Sequence, residues 1–149
     1  MQNSDKGELM KNLFPNEEAF TYNTTNNVTV KVKPSFRTVA QSNDKSQFVW
    51  SYDVTIENFN PYPIQLLSRY WKVFDANGYI EEVEGEGVIG MQPVIEAGES
   101  FNYSSQVKLF TNSGMMLGYY KMQDNIGNDL QVNIPAFSLD TSLEEMSIN

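Results

Sequence analysis

The chain has 149 residues with no cysteine and no histidine, long enough to close one hydrophobic core without disulfides. Those two absences remove thiol nucleophiles, thiolate metal sites, the usual general base and every Ser-His-Asp or Cys-His arrangement. A net charge of −9 argues against a nucleic-acid groove, which needs clustered Lys and Arg, and no apolar run is long enough to enter a bilayer.

Residues 1–27 are polar and Asn-rich and read as an N-terminal extension, with Gly7 to Phe14 expected as a short helix ending before Pro15. No charged-then-apolar leader is visible, so a cytoplasmic location is expected. From Val28 the chain alternates with period two. Val28, Val30 and Val32 face one way, and Trp50, Tyr52, Val54 and Ile56 do the same in the next strand. The residues Asn58-Phe59-Asn60-Pro61 break that strand. In the following one, Ile64 and Leu66 share a parity, but Leu67, Trp71 and Val73 lie on the other. One sheet face cannot bury both sets, so a register shift is expected around Leu66 to Ser68, by a β-bulge or a change of sheet.

The Asn-Gly pair in Asp75-Ala76-Asn77-Gly78 marks a hairpin turn that tolerates positive φ. Ala97-Gly98-Glu99 and Asp124 to Asn128 mark further turns. Phe101, Tyr103, Val107 and Leu109 form one apolar parity. Met116, Tyr120 and Met122 form another, opposite Leu117 and Tyr119, and either Tyr119 or Tyr120 could serve as a tyrosine corner. The last strand groups Leu130, Val132, Ile134 and Ala136. No helix-period segment of useful length follows residue 28. The fold is therefore all-β, and short antiparallel strands at this spacing favour a sandwich over a closed barrel. The domain spans 28–139, and 140–149 form an acidic C-terminal tail.

Gly85-Glu86-Gly87-Val88-Ile89-Gly90 carries the glycine spacing of a dinucleotide loop in the wrong context. Such a loop follows a strand and opens a helix whose N-terminus faces the pyrophosphate. Here Met91-Gln92-Pro93 follows, and Glu81, Glu82, Glu84 and Glu86 would repel phosphate. Structural roles suit the glycines better: positive φ at Gly85 or Gly87, and a side chain such as Trp71 packing over Gly90. A nucleotide- or pyrophosphate-binding protein using Gly85 to Gly90 stays open as the alternative. The four glutamates alternate along a strand and diverge onto two faces, so a solvated acidic strand is expected rather than a hard-cation site. No metal, cofactor or catalytic residue is assigned.

Gln65-Leu66-Leu67-Ser68-Arg69-Tyr70-Trp71, Asp75-Ala76-Asn77-Gly78 and the run from Glu82 to Pro93 together resemble the ApaG family. So do Ala97 to Ser105 and Ile134-Pro135-Ala136-Phe137-Ser138-Leu139, so the resemblance covers about Val28 to Leu139. Asn112 stands where members usually carry proline. The resemblance implies an immunoglobulin-like or fibronectin type III-like antiparallel β-sandwich. It also implies a bacterial cytoplasmic protein linked to cobalt resistance and magnesium efflux, with no established catalytic activity. Related domains in F-box proteins and in a polymerase-interacting protein imply protein recognition. The expectation is a non-enzymatic binding or accessory protein for an unidentified protein partner, with a homodimer through an edge strand left open. The candidate contact residues are Arg69, Tyr70, Gly85, Gly87, Gly90 and Gln92. Trp71 is expected in the core. Arg69 has two readings, an interface anchor beside aromatics or an ion pair with a carboxylate of the acidic loop.

Overall fold

The computed structural model describes residues 20–141. Nine strands follow in chain order: β1 (Thr21–Thr25), β2 (Val28–Ser42), β3 (Lys45–Asn58), β4 (Ile64–Asp75), β5 (Ile80–Glu86), β6 (Val94–Ile95), β7 (Ser100–Leu109), β8 (Gly114–Asp124) and β9 (Asp129–Leu139). They form two antiparallel sheets, β1-β2-β3-β7 and β5-β4-β8-β9, with β6 extending the edge beside β4. The described residues contain no helix. The short helix expected at Gly7 to Phe14 lies outside them.

The alternation seen in the sequence becomes the core. Val28, Val30, Val32, Trp50, Val54, Ile56, Trp71 and Tyr120 are all buried between the sheets. Burial of each such side chain contributes roughly 1.5–3 kcal/mol. The parity conflict in β4 is resolved by a β-bulge, for its register against β8 shifts between Leu66 and Ser68.

Three details differ from expectation. β1 lies inside the stretch read as an extension and pairs with β2 as an edge strand, Thr21 opposite Val32. Its Asn and Thr residues carry no apolar alternation, because its side chains are exposed or half-buried and it meets β9 through polar groups such as Thr25 Oγ1. Ala136 is exposed, while Phe137 and Leu139 are buried. The register of β9 against β8 slips between Met116 and Gly118, placing Phe137 opposite Met116 and Ile134 opposite Gly118, which inverts the parity after Pro135. Tyr120 forms no tyrosine corner, since its hydroxyl bonds the Tyr103 hydroxyl of the other sheet rather than backbone.

The turns after β4 and β8 share one device. Asp75 Oδ1 accepts from the amides of Asn77 and Tyr79, both at 2.9 Å, and only Gly78 of the Asn-Gly pair is left-handed (φ 86°). Asp124 Oδ1 does the same for Ile126 and Asn128, with Gly127 left-handed. Buried Asn58 organises the break after β3, donating to the carbonyls of Tyr62 (2.9 Å) and Ile95 (3.0 Å).

Candidate functional site

The bulge in β4 falls where its edge partner changes. β5 pairs with Ser68 to Phe74, β6 pairs with Ile64 and Gln65, and the glycine-rich segment fills the gap between them. The bulged Leu67 turns its carbonyl to that segment and accepts two donors, the Gly87 amide (2.8 Å) and Gln92 Nε2 (2.9 Å). Gln65 Nε2 reaches the Gln92 carbonyl at 3.2 Å, and the Leu66 amide reaches that of Pro93 at 3.0 Å. The loop is therefore stitched to the sheet at both ends.

Between those stitches the chain makes a two-residue hairpin. The Val88 amide donates to Met91 O (2.8 Å) and the Met91 amide to Val88 O (2.9 Å). Ile89 (φ 45°) and Gly90 (φ 77°) are both left-handed, the pattern of a type I′ turn. A β-branched residue is rarely found in that conformation. The glycine spacing thus builds a hairpin without a helix, and the amides of Gly87, Val88 and Met91 are spent on the fold.

The glycine roles are redistributed relative to the sequence reading. Positive φ belongs to Gly87 and Gly90, not Gly85. A Cβ on Gly87 would lie 2.1 Å from the Met91 carbonyl oxygen, so that position needs glycine twice over. The close side chain belongs to Gly85: a Cβ there would stand 2.9 Å from Arg69 Nη1. Nothing comes within 4 Å of a Cβ built on Gly90, so Trp71 does not pack over it.

Arg69 lies opposite Gly85 on one side and Tyr120 on the other, on the inner face it shares with Trp71. Its Nη1 donates to the carbonyls of Glu86 (3.1 Å) and Gly87 (2.8 Å). Among the described residues it makes no ion pair; the one salt bridge there is Lys31–Glu57 at 3.0 Å. Backbone carbonyls, not the acidic loop's carboxylates, hold the guanidinium. Arg69, Gly85, Gly87 and Gln92 therefore converge on one loop, with Gly90 at its tip.

Tyr70 is apart from them. It lies on the outer face, stacked on Tyr119 with ring centroids 5.0 Å apart, opposite Glu84. Partial desolvation, then the Glu82 and Glu84 carboxylates, hold its hydroxyl above the ordinary phenol value. Period two puts Glu82, Glu84 and Glu86 on one face and only Glu81 on the other. Among the described residues, no three Asp or Glu side chains gather as a metal site.

Sequence reasoning did not single out the polar inner wall beside Arg69. Ser105 pairs with Tyr52 across β3 and β7. Burial raises Tyr52, opposed by the neighbouring Ser105 hydroxyl and by Arg69. Burial also pushes Tyr103 far up, and Tyr120 well up. All three phenols therefore stay protonated through neutral pH. With Trp71 and the Val88 to Gly90 turn, Tyr52, Arg69, Tyr103 and Ser105 line a cleft of about 200 Å³. The available signal was a polar residue, Ser105 or Arg69, at an inward parity.

The ApaG domain family matches residues 38–124. The chain is similar to Protein ApaG of Brucella anthropi, at 46% identity over 84% of this chain and 96% of that one. It is 42% identical to Protein ApaG of Brucella abortus, with the same coverage. Among solved structures, a structural-genomics X-ray structure aligns at TM-score 0.77 and 33% identity, covering 79% of this chain and 89% of that one. The structure of a Bordetella pertussis chain assigned as an ApaA protein aligns at TM-score 0.73 and 34% identity, covering 82% and 96%.

Proposed function

Because the chain belongs to the ApaG domain family, we infer that it is a non-enzymatic binding module whose glycine-rich hairpin recognises a protein partner. One observation carries this reading. Ile89, Met91 and Val94 stand 56%, 50% and 54% exposed on a segment fixed to the sheet by backbone and Gln92 hydrogen bonds. Apolar side chains clustered on a rigid loop lose little entropy on docking, the condition under which a small patch binds well. The adjacent edge of β5 adds unpaired backbone groups for strand addition. The lack of histidine and cysteine throughout the chain supports a role in binding rather than catalysis.

In this reading the protein works in the cytoplasm as an accessory in divalent-cation homeostasis, the process to which the resemblance links cobalt resistance and magnesium efflux. The cation is handled by the partner, because the glutamates of β5 project in a row instead of converging. Affinity capture from native lysate tests the reading, comparing wild type with an Ile89→Ser, Met91→Ser double variant of unchanged melting temperature. A protein retained by the wild type and lost with the variant is expected. Equal retention by both sinks the hairpin as the contact.

A further inference from the structure

On the flank between β5 and β7, a guanidinium occupies an inward position of a strand whose neighbouring inward residues are Trp71 and Val73. Placing a charge there is unfavourable unless it is hydrogen-bonded. Arg69 meets that cost only in part, through Nη1 and the carbonyls of Glu86 and Gly87. A guanidinium has five N–H donors. Among the described residues, those on Nε and Nη2 have no protein acceptor, and no buried side-chain nitrogen lacks a partner, so they remain open to solvent. Tyr52, Tyr103 and Ser105, each carrying a hydroxyl, line the same cleft, with the Tyr103 hydroxyl also bonded to that of Tyr120. The cleft shares Tyr52, Arg69, Trp71 and Ser105 with a groove of about 390 Å³, whose further walls include Val73, Val83, Val107 and Met116. Glu81 lines the groove but not the Arg69 cleft.

We propose that this flank binds one carboxylate carried on an apolar stem, its head against Arg69 and the hydroxyls and its stem along the valines and Met116. Sites for whole drug-sized ligands occupy about 300–1,000 Å³. The cleft of about 200 Å³ admits a single charged group, and the groove supplies the rest. Glu81 disfavours a second negative charge on the stem, and Lys108, also on the groove wall, is too distant in role to replace Arg69's planar fork. The site goes beyond the partner reading, which uses the hairpin's exposed apolar side chains; the two share Ile89, and Arg69 and Ser105 belong to this site alone.

Heteronuclear NMR of the full chain tests it at fixed ionic strength. The probes are hexanoate, a short peptide ending in a free apolar C-terminus, and as controls 1-hexanol, inorganic phosphate, adipate and the amidated peptide. Hexanoate or the free-acid peptide should move the Arg69 Nε–H and Gly90 amide resonances saturably. A response to hexanoate identifies a small acid as the source, and a response to the peptide alone identifies a chain terminus. Arg69→Lys should weaken binding about tenfold or more, since it loses the bidentate donor pair. Ser105→Ala should weaken it roughly three- to tenfold with a dispersed, native spectrum. It decides the matter if Arg69→Lys does not fold. No saturable shift at about 10 mM, well above a millimolar Kd, overturns the proposal. So do equal shifts from hexanol, phosphate or adipate, or an unchanged affinity in Ser105→Ala.

Discussion

The sandwich has two flanks, and they are sealed by different means. Where β1 and β2 lie against β9, carbon fills the gap: Val28, Val30, Val32 and Val132 are all 0% exposed. Asn26 Nδ2 donates to Gln131 O (2.9 Å) and the Asn133 amide to Thr25 Oγ1 (3.3 Å), tying the strand edges together. Where β5 faces β7, Val83 and Val107 are only partly buried, and Arg69 with its hydroxyl neighbours stands between a cleft and a groove. A flank closed by apolar packing is committed to stability. One closed by hydrogen bonds to backbone leaves donors and space for something else.

The sharpest way to break the second flank is at its hairpin. Gly87→Val places a Cβ against the Met91 carbonyl oxygen and forces a β-branched residue to φ 63°. The expected loss is about 2–4 kcal/mol of unfolding free energy in urea. A loss below about 0.5 kcal/mol would mean that the turn re-forms another way. Next comes a matched pair of truncations. Val30→Ala on the sealed flank should cost about 2–3 kcal/mol and Val83→Ala on the open flank about 1 or less, because the second site already reaches water. Equal costs would erase the contrast between the flanks.

Alkaline pH gives a smaller effect, placed by Tyr52, Tyr103 and Tyr120. Burial raises all three above the ordinary phenol value of 10.0. Below pH 10 both folded and unfolded chains hold these protons, so stability is flat there. Above it the unfolded chain releases them first, and stability falls as pH rises, by about 1.4 kcal/mol per pH unit for each phenol still protonated in the fold. Urea melts between pH 9 and 11 read the slope, and Tyr120→Phe should make it shallower. An unchanged slope in that variant would remove Tyr120 from the account.

The contrast between the flanks was only half legible in the sequence. Alternating valines announce a sealed face, and the clash of parities at Leu66 and Leu67 announces a register shift, by bulge or by change of sheet, because an unbroken period of two cannot bury both sets. The pairing with β8 shows the bulge. The hairpin gave no such sign. Ile89 is an unlikely residue for a left-handed position, and the conformation is imposed by the stitches at Leu67, which join residues distant in the chain. The partners of Arg69 were hidden for the same reason: carbonyls carry no sequence identity, whereas the nearby glutamates invited an ion pair. Pro135 marks the slip in β9 only after the pairing with β8 is known.

The finest test separates Arg69's local bonds from any global role. Arg69→Met keeps an unbranched stem of similar reach and removes the donors to Glu86 and Gly87. Losing those bonds should open the hairpin by about 1 kcal/mol, seen as roughly five- to tenfold faster exchange of the Gly87 and Val88 amides. Global stability should move by about 0.5 kcal/mol or less, because removing a half-buried charge returns desolvation cost as the bonds are lost. Amides of Val30 and Val132 should exchange at the wild-type rate. If they accelerate as much as Gly87 does, Arg69 is a strut for the whole sandwich, and the two flanks are not independent. If only the hairpin loosens, the guanidinium holds one edge of one flank, and its remaining donors are free for a ligand.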